Sequence, residues 1–103
     1  MSTALAVTVL SLIAAPPQSV EMVLQNHRFH PDHLVVPAGS KIALHIRNAD
    51  DTVEEIESYA LNREQKVGPT RTVTLYVGPL TPGLYDLYGE DHPDTAQATI
   101  EVQ

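Results

Sequence analysis

What most restricts this chain is the way prolines and glycines cut its apolar residues into runs too short for helices. The runs 20–24, 34–36, 41–47, 71–77, 84–88 and 98–102 are separated by Pro31, by Pro37-Ala38-Gly39-Ser40 and by Gly78-Pro79-Leu80-Thr81-Pro82-Gly83. Proline fixes its own φ and has no amide to give a ladder, so each of these stretches stops a strand. Within Lys41-Ile42-Ala43-Leu44-His45-Ile46-Arg47 the side chains alternate, which puts Ile42, Leu44 and Ile46 on one buried face and turns His45 outward. The same alternation directs Val73, Leu75 and Val77 inward, and Met22 falls inside an apolar run as a core residue. Residues 27–33 read as a polar loop around Phe29 and Pro31, residues 48–52 as a turn, and the charge-dense stretch 53–59 as either a strand or an irregular segment. Six or seven strands and no helix are expected, an all-β sandwich.

A chain of 103 residues suits one domain, and 43% hydrophobic against 18% charged residues is the balance of a folding sequence. Its net charge of -7, from 13 acidic and 6 basic side chains, disfavours nucleic acid and anionic membranes and favours cations or basic proteins. With no cysteine there is no disulfide, thiolate nucleophile, zinc ribbon or iron–sulfur cluster. Any metal must therefore use carboxylate, imidazole, thioether or carbonyl donors. Residues 4–15 are apolar apart from Thr8 and Ser11, the length of a signal-peptide core and too short for a membrane span. Residues 1–19 are thus expected to be a signal peptide or N-terminal apolar segment, and 20–103 an exported domain that does not insert in the membrane. A first strand or a short anchor is the alternative for the apolar stretch.

Glu54, Glu55, Glu57 and Glu64 place four carboxylates within eleven residues, a donor type that suits iron and other hard or borderline cations. On an extended segment Glu55 and Glu57 share one face while Glu54 shares the other with Ile56, so the four cannot all bind one ion. The competing reading is a solvated acidic edge that discourages aggregation. Glu90-Asp91-His92 sets an imidazole beside two carboxylates, a workable shell for ferrous iron or copper(II), with Tyr88 two residues before Glu90. His27, His30 and His33 form a spaced histidine set, but residues three apart face opposite ways on a strand and Pro31 blocks a helix, so they are expected on the surface.

The order PAGSKIALHIRN, an acidic segment, TVTLYVGPLTPGLYDLYGEDH and a last strand TIEV resembles the cupredoxin-like domain family from about Phe29 to Val102. That resemblance implies a Greek-key β-sandwich. Where blue-copper members carry a cysteine, a histidine three residues on and then a methionine, this chain has Gly89, His92 and Gln97, and the upstream copper histidine is replaced near Glu54 or Glu55. Without the thiolate, neither the blue colour nor the usual electron-transfer potential is expected. The runs DTVEEIES, LNREQKV, GPLTPG and GEDH are similar to cysteine-free cupredoxins of bacterial periplasmic ferrous-iron uptake systems, which work beside a high-affinity iron permease. Ile56 stands where that group commonly has an aromatic residue and Ala98 where a glycine is usual. The likeness implies iron or copper binding at Glu54, Glu55, Glu57, Glu64, Glu90, Asp91 and His92, with an accessory part in Fe(II) oxidation or delivery. Two alternatives stay open: an acidic interaction module of a transport system, and a copper-binding or resistance protein using His27, His30 and His33.

Overall fold

Alternation produces the central strand β4 (Ile42–Asn48), in which Ile42, Leu44 and Ile46 are fully buried. The computed structural model describes residues 3–6 and 16–103. Around β4 lie β1 (Gln18–Gln25), β2 (Arg28–His30), β3 (His33–Val36), β5 (Glu54–Ser58), β6 (Arg63–Val67), β7 (Thr72–Val77), β8 (Gly83–Gly89) and β9 (Gln97–Val102). One sheet has the order β2-β1-β4-β7 and the other β3-β9-β8-β5-β6. Both are mixed, since β1 pairs parallel with β4 and β3 with β9 while the remaining pairs are antiparallel. Among the described residues there is no helix.

The core is what the two inner faces share. Met22, Leu24, Leu44 and Ile46 from the first sheet meet Val36, Ile56, Leu87 and Ile100 from the second. Truncating one of these to alanine costs about 2–5 kcal/mol in transfer and cavity terms. Leu75 and Val77 are buried as the alternation requires, Val73 partly so.

Among the described residues there are nine strands, against the six or seven expected. The polar loop expected over 27–33 instead contains β2 and the start of β3, with Phe29 buried at the middle of β2. β1 and β2 form a hairpin whose two turn residues, Asn26 and His27, both have positive φ, 53° and 56°. That is the backbone a right-twisted two-residue hairpin needs, here made without glycine. β6 went unread because it is an edge strand paired only with β5, and of its five residues only Val67 is buried. The apolar stretch 4–15 lies largely outside the described residues, and β1 begins at Gln18, two residues before the expected boundary.

Asn48 ends β4 fully buried. Its amide donates to the carbonyls of Thr52 (2.7 Å), Val67 and Gly68 (both 3.2 Å), and its side-chain oxygen accepts from the Asp50 amide at 3.0 Å. One side chain thus ties the first sheet to the end of β6 and fixes the position of Asp50.

Candidate metal centre

The two-residue period of β5 sends its side chains to two different places. Glu54, Ile56 and Ser58 point inward and are buried, whereas Glu55 and Glu57 stand on the outer face. Across β6, Glu57 is paired directly with Glu64, and across β8 with Tyr88. Glu90 follows β8, and its amide donates to the Glu55 carbonyl at 2.7 Å. Glu55, Glu57, Glu64 and Glu90 each present a carboxylate oxygen, and these oxygens all lie within 4.8 Å of one another.

Like charges set opposite one another on a sheet are unfavourable, and the cluster responds by retaining protons. A hydrogen bond with the Glu64 carboxyl, with partial desolvation and the charges of Glu90 and Glu64 behind it, pushes Glu55 up to about 7 despite Lys66 nearby. Glu90 is also raised, first by its hydrogen bond with Glu57 and then by that group's charge. Tyr88 donates its hydroxyl to Glu57 at 2.8 Å, and that bond is the main reason its own ionisation moves up to about 12. A cation placed here would compete with those protons.

Glu54 and His92 form a separate unit on the inner side. The carboxylate of Glu54 is 5% exposed, and its Oε2 lies 2.8 Å from His92 Nδ1. An ionised carboxylate only accepts, so opposite a charged Glu54 the donor of this bond is the imidazole nitrogen. Glu54 Oε1 is buried and has no hydrogen-bond partner among the described residues. It lies against Gly89, where an added Cβ would overlap the carboxylate and stand 2.8 Å from the Ala96 Cβ. Asp91 is a member of neither group; its carboxylate accepts from the Glu55 amide at 2.9 Å and holds the loop to β5.

His27, expected on the surface with His30 and His33, instead stacks on His92, with ring centroids 3.5 Å apart and planes 12° from parallel. Asp50 sets up this contact. Its carboxylate accepts from the amides of Asn26 (2.8 Å) and His27 (3.0 Å) and lies 3.5 Å from His27 Nδ1. Partial burial pushes the Asp50 carboxyl upward, but those two amides and the neighbouring imidazoles outweigh it and hold it below its ordinary value. His30 closes β2, and His33 opens β3 with its Nε2 3.6 Å from Glu101, so the three histidines do not converge. His45 bonds Thr74 across the sheet at 2.8 Å. Sequence reading missed Asp50 and the stack because both depend on a hairpin turn made of Asn and His rather than Asn-Gly.

A cupredoxin-like domain profile matches residues 1–102. An uncharacterized protein of Rickettsia prowazekii (strain Madrid E) is 45% identical over 83 residues, covering 81% of this chain and 66% of that protein, so the match spans just under two thirds of the relative's length. Among solved structures, auracyanin A, a "blue" copper protein of Chloroflexus aurantiacus, superposes with a TM-score of 0.72 at 13% identity over 85% of this chain and all of that one. The metal-binding domain of the Streptococcus pneumoniae D39 Cu(I)-exporting P-type ATPase CopA gives 0.74 at 13% identity, covering 82% and 84% of the two chains. A purple cupredoxin from Nitrosopumilus maritimus gives 0.64 at 16% identity, covering 81% and 98%. The donor set here does not fit a blue-copper ion. No cysteine exists, the Glu54 carboxylate fills the space over Gly89, and the Gln97 amide donates to the Pro93 carbonyl at 2.9 Å.

Proposed function

This chain belongs to the cupredoxin-like domain family, and from that premise we propose that it is an exported metal-binding member assisting iron uptake, with iron held by Glu55, Glu57, Glu64 and Glu90. The observation that carries this reading is the convergence of four carboxylates from β5, β6 and the end of β8, close enough for one ion. Anionic oxygens stabilise Fe(III) more than Fe(II), because the Coulomb energy grows with the cation's charge. Binding therefore lowers the potential of the iron and eases loss of one electron to an acceptor, either a partner redox protein or dioxygen. The ion then passes to a permease. The sequence motifs shared with ferrous-iron uptake cupredoxins and the apolar stretch at 4–15 support the compartment and the partner. Copper(II) is the alternative cargo.

Calorimetry with Fe(II) under anaerobic conditions and with Fe(III) tests the reading. The whole chain should bind one ion per molecule, and the variant with Glu55, Glu57, Glu64 and Glu90 all changed to Gln should not. An unmodified protein that takes up neither ion overturns it. A second reading, an acidic docking module without metal chemistry, is favoured by Tyr59, which is 90% exposed on a groove shared with Glu57, Asn62, Arg63 and Glu64. It predicts that the four-Gln variant loses partner binding even in the presence of a chelator.

A further inference from the structure

We propose that two copies of this chain meet through β6, its free edge pairing antiparallel with the same edge of a second molecule about a two-fold axis at Gln65. The contact joins the two five-stranded sheets into one and does not rest on the iron reading.

β6 ends its sheet, with β5 on one side and no strand on the other. Such an edge carries a row of backbone donors and acceptors that pairs with another chain unless something blocks it. The Gln65 side-chain amide donates to the Lys66 carbonyl at 3.0 Å, filling on the edge strand the part that a neighbouring strand's amide would take. The other edges offer less. β2 and β3 are three and four residues long, and on β7 the Tyr76 carbonyl already accepts from the Arg63 guanidinium at 2.8 Å.

The sequence of β6 selects the occupant. Arg-Glu-Gln-Lys-Val, read in reverse against itself about Gln65, sets Glu64 opposite Lys66 of the second copy and Lys66 opposite that copy's Glu64. Directly opposed residues of an antiparallel pair share a face, and Glu64 and Lys66 both lie on the outer one, where they pair with Glu57 and Glu55. Within one chain Glu64 is opposed only by the like charge of Glu57, and among the described residues no lysine or arginine forms an ion pair, Lys66 included. Pairing two copies supplies what is missing. The outer row then runs Glu57, Glu64, Lys66 of the second copy and that copy's Glu55, so the acid at the seam gains a cation.

The same charges fix the register. Sliding the strands by two residues one way sets Glu64 against itself, and the other way sets Lys66 against itself, each a directly opposed like-charge pair. A slip of one residue sets outer side chains against inner ones. Charges that ordinarily guard an edge therefore reject every register here but one. A five-residue strand spans only about 17 Å. Two copies each carrying a net charge of -7 also repel, so the dimer belongs to the weak class that assembles at high protein concentration.

The experiment uses the full chain with a chelator present, which makes its outcome independent of metal. Sedimentation velocity over a rising concentration series should show a monomer-dimer equilibrium. Lys66→Glu and Glu64→Lys should each weaken it by at least about 10-fold, as two like-charge pairs replace two opposite ones. The exchange Glu64→Lys/Lys66→Glu recreates both pairs and should restore it. Gln65→Cys gives the chain a single thiol, placed at the axis. Opposed Cα atoms of antiparallel strands lie about 4.5–5.5 Å apart, within the span of a disulfide, so mild oxidation should yield a covalent dimer. Glu21→Cys, on β1 of the other sheet, should not. Far-UV circular dichroism checks that each variant is folded. An unmodified chain that stays monomeric throughout the series overturns the proposal, whether the edge is bare or kept for a strand of another protein. So do charge variants that dimerise as the unmodified chain does, an exchange variant that stays monomeric, or a Gln65→Cys variant that links no faster than Glu21→Cys.

Discussion

The carboxylate of Glu54 lies over the Cα of Gly89, in the space that any side chain at position 89 would enter. The two residues are a matched pair: an inward acid on β5 and an absent side chain at the end of β8. Gly89→Ala should destabilise the fold by about 1–3 kcal/mol through overpacking. Glu54→Ala should recover part of that loss in the double variant, with the Ala96 methyl at 2.8 Å accounting for the remainder. Chemical denaturation of the two single variants and the double measures the coupling, and simple additivity would show that the residues do not compete for space.

The acidic cluster sets the sign of the pH dependence. Glu55 releases its proton near 7 in the folded chain against 4.5 when unperturbed, and Glu90 shifts the same way. Between those values the folded protein holds a proton that the unfolded chain has lost. The contribution is therefore complete below the unfolded value and disappears as pH rises through about 7. Melting temperature of the metal-free protein should fall across this window, and Glu64→Gln should flatten the trend. A cation bound by the cluster should reverse it, adding about 2.7 kcal/mol at 100 times its dissociation constant.

Asn48 should be among the least replaceable polar residues. Asn48→Leu leaves the carbonyls of Thr52, Val67 and Gly68 without its amide and frees the Asp50 backbone. A loss of about 1–3 kcal/mol is expected for the buried groups left unpaired. The imidazole resonances of His27 and His92 should also shift, since Asp50 positions the hairpin that carries His27. Unchanged histidine spectra in a folded Asn48→Leu protein would contradict that linkage.

His27→Gly should stabilise the fold. Glycine accepts φ 56° freely, and a non-glycine residue in that region costs about 1–2 kcal/mol, so thermal denaturation should show a gain of about 1 kcal/mol after the lost ring stacking is counted. A variant that is no more stable would mean that the stack and the Asp50 bonds already compensate the turn.

Where side chains alternated between core and solvent, the fold was legible. β4, β7, β8 and β9 follow from Ile42, Leu44, Ile46, Leu75, Leu87 and Ile100, because burial on one face imposes a period that the order of residues reveals. β6 offered no such period, since both its faces are largely exposed. The division of β5 into Glu54 on one side and Glu55 with Glu57 on the other was also readable from strand geometry. The participation of Glu64 and Glu90 in the same cluster required the pairing of β5 with β6 and the path of the loop after β8, which no local pattern encodes. His27 was hidden for a different reason: its place depends on Asp50, 23 residues away, gripping a turn by its backbone.

The neighbouring acids Glu54 and Glu55 make β5 a partition one peptide thick, with nitrogen chemistry on one side and oxygen chemistry on the other. A cation held by the outer acids would sit one strand's thickness from the Glu54–His92 pair without sharing a ligand with it. Loading the outer compartment would change the field at the inner pair, so this short strand is a common wall through which the imidazole would sense a charge on the far side.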